Sequence, residues 1–470
     1  MPPETNGQKT WSNCLADNRQ RYVDQLVELL RIPSVSTSED HVPDVLRTAD
    51  WVANRLKTAG IENISILPTG QHACVYGDWL HAPGKPTVLI YGHFDVQPAD
   101  PLELWESPPF EPVIKDGRIY ARGASDMKGN LLLSLIGVEA VLSSTGTLPV
   151  NVKFLYEGQE EIGSRDLAPF VAAHRDLLAC DLILCADGLQ WAFDQPMICL
   201  GVKGACGLQI DLETANMDLH SGLFGGAVPN AVHALSELVA SLHDKEGRIL
   251  VEGFYDDVVP IADLERELIG RVPFDEASYL SQIGVDSLIG EPGYTTYERL
   301  GNRPTLELNG IWGGYQGQGL KTIIPAEAHA KISCRLVANQ DPTKIVDLVE
   351  AHLHKHCPTG ARIKVTKEAI RARSYFVPAD YAGAQVVAEV LTESYGREPY
   401  FIRMGGSLPI MDMFLQELKA YTVMIGFGLP DQKAHSPNEF FLLSDYARGQ
   451  AVFATLLERL GEMEASQLVI

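Results

Sequence analysis

Residues 87–98 read TVLIYGHFDVQP, and this stretch decides the fold of the chain. Its first five residues are β-branched, aliphatic or aromatic, which is typical of a strand buried on both faces. The predicted strand stops just before His93, so His93 and Asp95 lie at its C-terminal end. In open α/β sheets ligands bind at this edge, and an imidazole beside a carboxylate can bind a metal. Taken alone, the pattern also fits an ordinary loop histidine.

The composition describes a globular protein of two or more domains, with 470 residues, 46% of them hydrophobic and 21% charged. A formal net charge of −23 disfavours binding to nucleic acid or to anionic lipid. No apolar run reaches the roughly 18 residues that a membrane-spanning helix needs, and the N-terminus lacks the apolar core of a signal peptide. We therefore expect a cytoplasmic location and no membrane partner. The eight cysteines are dispersed without a Cys-x-x-Cys pair, which predicts reduced thiols.

Helices and strands alternate along most of the chain, which predicts an α/β layer structure. Helical periodicity is found over residues 18–30, 44–59 and 131–142. The predicted strands of the same layer structure are residues 64–67, 73–76, 87–92, 150–156, 181–186 and 421–425. Together they predict an open sheet with helices on both faces.

The middle of the chain follows a different order, βαββαβ, which is the ferredoxin-like arrangement. Its predicted elements are strands at 207–212, 305–311, 328–337 and 361–370, with helices at 230–242 and 342–354. An acidic excursion over 246–303, with a helix at 261–269, separates its first helix from its second strand. This order predicts an α+β domain over 205–379, inserted into a metal-binding catalytic domain made of residues 1–204 and 380–470.

One residue able to bind a metal lies beyond the C-terminal end of each of several predicted strands, or in the loop that follows. These residues are His93, Asp126, Glu161, Asp187 and His435. Oxygen and nitrogen ligands without sulfur suit a hard or borderline ion such as Zn²⁺ or Mn²⁺. For Asp126 the pattern leaves a second interpretation open, because an acid just before the helix at 131–142 also fits an N-cap.

The number of ligands indicates the chemistry. Two histidines and three carboxylates exceed the needs of one catalytic zinc, but suffice for two ions that share a bridging carboxylate. Such a pair can hold a bridging water, lower its pKa and polarise a carbonyl. The remaining acid, Glu160, could then take the proton of that water and return it to the leaving amine.

Four segments together resemble the carnosinase-type dipeptidases of metallopeptidase family 20, whose relatives include aminoacylase, acetylornithine deacetylase and succinyl-diaminopimelate desuccinylase. They are GHFDVQP at 92–98, GASDMKG at 123–129, EGQEEIG at 157–163 and HSPNE at 435–439. The resemblance covers nearly the whole chain after about residue 20. It implies a dipeptidase that cleaves the amide bond of dipeptides or short peptides with a free C-terminal carboxylate.

The resemblance also implies how the two ions, zinc or alternatively manganese, are shared. His93 and Asp187 would hold one ion, Glu161 and His435 the other, and Asp126 would bridge them. It further implies that Asp95 orients His93 or the bridging water, that Glu160 is the general base, and that the peptide bond after Asp126 is cis.

In the inserted domain, DLHSGLFGG at 218–226 is similar to the segment whose histidine reaches into the partner subunit's active site in this family. His220 would then bind substrate and stabilise the oxyanion, which implies a homodimer formed through a lid and dimerisation domain. The segments around Arg335, Thr322 and Ser407 also match. Arg335 would bind the substrate carboxylate, and the two hydroxyls would donate further hydrogen bonds.

Two departures leave the substrate class open. Met127 stands where many dipeptidase relatives have a second Asp, and Lys203 stands where relatives often have Arg. An N-acyl-amino-acid deacylase, similar to acetylornithine deacetylase or the desuccinylase, is therefore the alternative activity. A metal-stabilised scaffold without turnover is a third interpretation, but it would not need Glu160 and Asp95 beside intact ligands.

Overall fold

The computed structural model describes residues 10–406 and 408–470. Clustering of the backbone divides the chain into two compact units. The first unit comprises Met1–Leu200, Val377–Phe401 and Met413–Ile470, and the second comprises Gly201–Phe376 and Ile402–Asp412.

The first unit begins with six helices and eight strands. The helices are α1 (Trp11–Asp17), α2 (Arg19–Leu30), α3 (Val42–Thr58), α4 (Gly129–Thr145), α5 (Leu167–Ala173) and α6 (Arg175–Leu178). The strands are β1 (Glu62–Thr69), β2 (His72–Trp79), β3 (Thr87–His93), β4 (Val113–Lys115), β5 (Arg118–Tyr120), β6 (Asn151–Glu157), β7 (Leu182–Cys185) and β8 (Met197–Val202). Strand β3 includes His93, one residue further than the sequence predicts, because His93 still pairs with Glu157 of β6.

The second unit contains the middle of the chain. Its strands are β9 (Gly204–Glu213), β10 (Leu219–His220), β11 (Thr305–Gly313), β12 (Ile323–Ile324), β13 (Glu327–Leu336), β14 (Arg362–Ala372) and β15 (Tyr375–Phe376). Its helices are α7 (Ser221–Phe224), α8 (Ala231–Ala240), α9 (Asp263–Gly270), α10 (Glu276–Ile283), α11 (Thr296–Asn302) and α12 (Pro342–Lys355). The acidic excursion thus holds three helices where the sequence predicts one.

The chain returns to the first unit at Val377, and residues Ile402–Asp412 belong to the second unit again. The remaining elements are α13 (Ala382–Tyr395), β16 (Tyr400–Met404), α14 (Pro409–Leu418), β17 (Thr422–Met424), β18 (Phe440–Leu442) and α15 (Leu443–Gly461). The main sheet of the first unit has the order β1-β2-β6-β3-β7-β17-β8. Strand β3 runs parallel to β6 and β7, whereas the pairs β1 to β2 and β2 to β6 are antiparallel. The predicted α/β class is confirmed, with a mixed sheet.

Helix α4 forms the centre of the first unit. It is apolar on nearly every side, so it is buried over Gly129–Val141 and packs between β3 and α15. Gly146 ends the helix in the left-handed conformation, with φ of 75°. The turn before the helix, Ala124–Lys128, carries Asp126, and the peptide bond from Asp126 to Met127 is cis, as the family resemblance implies.

The second unit is built on a separate antiparallel sheet with the order β11-β13-β9-β14. In chain order these strands are the second, third, first and fourth. One face of the sheet is buried by α8 and α12, and Leu208, Ile210, Leu235, Ile332 and Val349 belong to this core. The function of this unit as a lid or a dimerisation element stays a prediction.

Candidate metal centre and active site

Three parallel strands of the first unit bring the predicted site residues to one edge of the sheet. His93 is the last residue of β3, Glu160 and Glu161 follow β6, and Asp187 follows β7. Because β6, β3 and β7 are parallel neighbours, their carboxyl ends meet at the same edge. Side chains that are 94 residues apart in the chain therefore converge (187 minus 93).

His93 lies at the bottom of this group and is fully buried. Its Nε2 atom is 3.2 Å from Oδ1 of Asp126, 3.8 Å from Oδ2 of Asp187 and 3.9 Å from Oε2 of Glu160. This Nε2 atom makes no hydrogen bond of normal geometry with the described residues. A buried ring nitrogen that faces three carboxylates without a hydrogen bond is what an imidazole metal ligand shows when no ion is present.

His435 lies close to the other carboxylate oxygen of Asp126. Its Nε2 atom is 2.8 Å from Oδ2 of Asp126 and 3.3 Å from Oε2 of Glu161. Asp126 therefore lies between two imidazoles, with one carboxylate oxygen directed to each. Ligand atoms of His93, Asp126 and Glu161 all lie within 4.8 Å of one another. This nitrogen and oxygen donor set fits a divalent metal centre.

Asp95 and Gln97 follow β3, and their hydrogen bonds fix the ring of His93 and the Glu160–Ile162 turn. The carboxylate of Asp95 accepts hydrogen bonds from the N–H groups of Glu160 and Glu161, each 3.1 Å long. Its carbonyl oxygen lies 3.1 Å from Nδ1 of His93, which fixes the ring orientation. Nε2 of Gln97 donates to Oε2 of Glu161 at 2.8 Å and to the Glu161 carbonyl at 3.2 Å. The sequence assigns no function to Gln97.

Glu439 is a second residue whose function the sequence does not indicate. It is fully buried, and its carboxylate accepts hydrogen bonds from the N–H groups of Gly123, Ser125 and Asp126, at 2.9, 2.9 and 3.0 Å. Nη1 of Arg122 donates to the same carboxylate at 2.7 Å. Glu439 lies four residues after His435, so these bonds join the segments that carry His435 and Asp126.

The clustered charges shift the titration of the site in the metal-free protein. Burial opposes ionisation of Asp126, but the close imidazoles of His435 and His93 outweigh burial and lower the pKa of Asp126 well below its usual value. Contacts with Asp126 and then Glu161 raise the pKa of His435 to about 10. Burial raises the pKa of Glu160 to about 7, with Glu161 and Asp95 adding to the effect.

The other predicted substrate-binding residues belong to the second unit, except for one that the structure does not describe. His220 is exposed on β10, and its Nδ1 accepts a hydrogen bond of 3.0 Å from the N–H of Gly222. The N–H of Ser221 donates to the carbonyl of Thr322 at 3.0 Å, so His220 and Thr322 lie on neighbouring chains. Arg335 is exposed on β13, opposite Thr305 and Ala205. Ser407 lies outside the described residues.

A scan against protein-family models matches residues 89–459 to "Peptidase family M20/M25/M40". The chain belongs to this peptidase family. The match includes all five candidate ligands of the metal centre as well as Glu160 and Glu439, and it confirms the family that the motifs predict.

The chain is also similar to several curated members of the peptidase family. It is 30% identical to the Cys-Gly metallodipeptidase of Schizosaccharomyces pombe, over 95% of this chain and 96% of that protein. It is 31% identical to the human Beta-Ala-His dipeptidase, over 95% of this chain and 91% of that protein. These relatives confirm the prediction of a metal-dependent dipeptidase.

The solved structures agree with this placement. An M20 family metallo-carboxypeptidase from Sulfolobus solfataricus superposes with a TM-score of 0.77 and 32% sequence identity, and the match covers 94% of this chain and 99% of that chain. Within residues 10–406 and 408–470, none of the helices of this peptidase combines the length and the apolar composition that a bilayer crossing needs.

Proposed function

We propose that the protein is a two-metal dipeptidase that cleaves the amide bond of dipeptides or short peptides with a free C-terminal carboxylate. The observation that carries this proposal is the position of Asp126 between His93 and His435, with one carboxylate oxygen directed to each ring. A carboxylate in this position suits a bridge between two ions.

The proposed ligand sets are those that the family resemblance implies, and the short distances from His93 to Asp187 and from His435 to Glu161 support them. His93 and Asp187 would hold one ion, Glu161 and His435 the other, and Asp126 would contribute to both. Zinc is the proposed metal, with manganese as the alternative, because the donors are nitrogen and oxygen only. When bound, two such ions polarise the scissile carbonyl and lower the pKa of the attacking water.

Glu160 is the proposed general base. It belongs to the same group of side chains, with Oε2 lying 3.9 Å from Nε2 of His93, and it is mostly buried. In this position its carboxylate would accept the proton of the attacking water and pass it to the leaving amine. Asp95 supports both functions, because it orients His93 and also fixes the backbone of Glu160.

Recognition of the substrate is assigned to the second unit. Arg335 would bind the C-terminal carboxylate, Thr322 and Ser407 would donate hydrogen bonds, and His220 would stabilise the oxyanion in the active site of a partner subunit. The proposed homodimer forms through residues 205–379, which would also act as a lid. In support, the loops that carry His220 and Thr322 expose large apolar side chains, at Met217, Leu223, Phe224 and Leu320.

A cytoplasmic location is also part of the proposal. Its support is that the eight cysteines are free thiols, as expected in a reducing compartment.

The test compares matched substrates on the metal-stripped protein after reloading with zinc or manganese. Glycyl-leucine and N-acetyl-leucine share the C-terminal residue and differ in the free amine, and cysteinylglycine and β-alanyl-histidine add the substrates named for the relatives. We expect metal-dependent hydrolysis of dipeptides and no release of acetate. Cleavage of N-acetyl-leucine alone would indicate the deacylase activity instead, and loss of all hydrolysis after reloading would refute the proposed function.

A further inference from the structure

The second unit contains a cavity that the proposed reaction does not use. Its volume is about 450 Å³, which is within the range of small-molecule sites. Ile249, Tyr255 and Leu306 give the cavity an apolar wall, and Lys203 and Glu307 place charged groups in its lining. All of the residues that line the cavity belong to the second unit.

Lys203 is the unusual member of this lining. It is only 3% exposed, and its ammonium group donates one hydrogen bond, of 3.0 Å, to the carbonyl of Arg299. Among the residues that the structure describes, no carboxylate forms an ion pair with it. An ammonium group has three donors, and a buried charge without a partner is unfavourable.

Neighbouring cations make the charged form of Lys203 still less favourable. Burial lowers the pKa of Lys203 to about 8, and the positive charges of Arg335 and Arg303 lower it further. Arg303 is already neutralised, because its guanidinium makes two hydrogen bonds to Glu291, of 2.7 and 2.8 Å. Arg299, which is half-buried, also lines the cavity, and its Nε donates to the backbone carbonyl of Glu291 at 3.0 Å. Among the described residues, Lys203 is therefore the buried cation of this cavity wall that has unused donors and no acidic partner.

We propose that this cavity binds a small monocarboxylate with an apolar body, and that the Lys203 ammonium holds the carboxylate. A single negative charge matches the one buried cation of the lining that lacks an acidic partner among the described residues, whereas Glu307 and Asp244 in the lining disfavour a dianion such as phosphate. The apolar wall formed by Ile249, Tyr255 and Leu306 would pack against the body of the ligand.

The carboxylate could come from two sources. One is a free carboxylic acid that binds on its own. The other is the C-terminal residue of a peptide substrate, and this second source rests on the proposed function. It is suggested by the position of Lys203 beside the residues that precede Ser407 in the chain and close in sequence to the strand partner of Arg335. Its N–H donates to the carbonyls of Met404 and Gly406, just before Ser407, and Arg335 pairs with Ala205 two residues further along the chain.

The binding test is calorimetric titration of the zinc-loaded, full-length protein with isovalerate, a monocarboxylate with a branched apolar body. Lys203→Met keeps the size of the side chain and removes its charge, and we expect it to weaken binding at least about tenfold. Lys203→Arg restores the cation and should stay within about threefold of the natural protein. Lys331→Met, at an exposed lysine of β13, is the matched control and should not change binding.

Lys203→Gln is a second uncharged variant that keeps a donor for the Arg299 carbonyl, in case Lys203→Met does not fold. Lys203→Met should also unfold at a higher temperature without ligand, because it removes a buried charge. Absence of isovalerate binding at millimolar concentration would overturn the proposal, and so would binding by both uncharged variants that is as tight as binding by the natural protein. Calorimetry detects binding without turnover. Isovalerate binding can therefore be absent while dipeptide hydrolysis is present, and the reverse, so the two proposals are tested separately.

The pattern of inhibition identifies the source of the carboxylate. Competitive inhibition of glycyl-leucine hydrolysis by isovalerate that Lys203→Met weakens would assign the cavity to the C-terminal residue of the substrate, because inhibition by a carboxylate bound to zinc alone would not depend on Lys203. Noncompetitive inhibition, or simultaneous binding without inhibition, would assign it to a free carboxylic acid.

Discussion

The backbone N–H of Asp126 donates a hydrogen bond of 3.0 Å to the buried carboxylate of Glu439, a residue 313 positions away in the chain. The same carboxylate accepts from Gly123 and Ser125 and pairs with Arg122. Glu439 therefore holds the turn of Asp126 against the segment that carries His435. The two histidines can face opposite oxygens of Asp126 only while this connection keeps both segments in place.

Replacing Glu439 by Gln should lower both the stability and the metal affinity. The amide keeps only one acceptor oxygen, so either Ser125 and Asp126 or Gly123 and Arg122 lose their acceptor. The charge of Arg122, which is 1% exposed, also loses its buried counter-charge. Breaking a buried ion pair costs about 3 to 5 kcal/mol, and loss of residues that orient metal ligands typically lowers metal affinity about 10- to 100-fold. Thermal unfolding and zinc titration measure the two effects. Glu417→Gln, in the surface pair with Arg175, is the control and should change neither by much.

Replacing Glu160 by Gln should abolish most of the activity without loss of metal. A general base contributes about 10²- to 10⁴-fold, and Glu160 is not one of the five proposed ligands. Burial raises the pKa of Glu160 to about 7 in the metal-free protein, and a base must be deprotonated to act. Activity of the natural protein should therefore fall as the pH drops through the pKa of this group, and the variant should lose that dependence. Unchanged kcat in the variant, with metal content verified by mass spectrometry, would exclude Glu160 as the base.

Metal binding at neutral pH should release protons. Asp126 and Glu161 raise the pKa of His435 to about 10, so the imidazole is protonated at pH 7 in the metal-free protein. A metal ligand must be neutral, and the incoming ion therefore displaces this proton. The apparent affinity should rise with pH up to about 10, and the heat of binding should depend on the ionisation enthalpy of the buffer. His435→Gln should remove this contribution and one equivalent of metal, whereas a heat that is the same in all buffers would contradict the prediction.

If His220 acts in the active site of a partner subunit, two inactive variants should complement each other. His220→Ala keeps Glu160, and Glu160→Gln keeps His220, so each mixed dimer would contain one complete site. Random mixing gives about half mixed dimers, and about a quarter of the natural activity should return. The measurement is dipeptide hydrolysis after the two variants are unfolded, mixed and refolded. The matched control mixes His220→Ala with a double variant that lacks both side chains, and this mixture should stay inactive. No recovery, in a mixture shown to be dimeric, would place His220 outside the partner's site.

The candidate ligands could be picked out because each follows a pattern that is local in the chain. A buried strand has a continuous apolar composition, and a glycine or a turn ends it, so the residues after 87–92, 150–156 and 181–186 were identifiable as edge residues. The structure places His93, Glu161 and Asp187 at that edge. Gln97 and Glu439 were not predicted, although both belong to segments that were quoted for their motifs. Their function depends on hydrogen bonds to distant backbone groups, which leave no periodic signal.

The sequence by itself determined the fold class, the family and the types of side chain that are available to bind metal. These follow from composition, strand and helix periodicity and the order of four motifs, all of which are properties of the linear chain. Only the tertiary structure decided that Asp126 directs one oxygen to each histidine, that Glu439 fixes this geometry, and that Lys203 is buried with no acid of residues 10–406 and 408–470 paired to it. Each of these depends on distances of about 3 Å between residues remote in the chain, and such distances are set by packing rather than by local sequence.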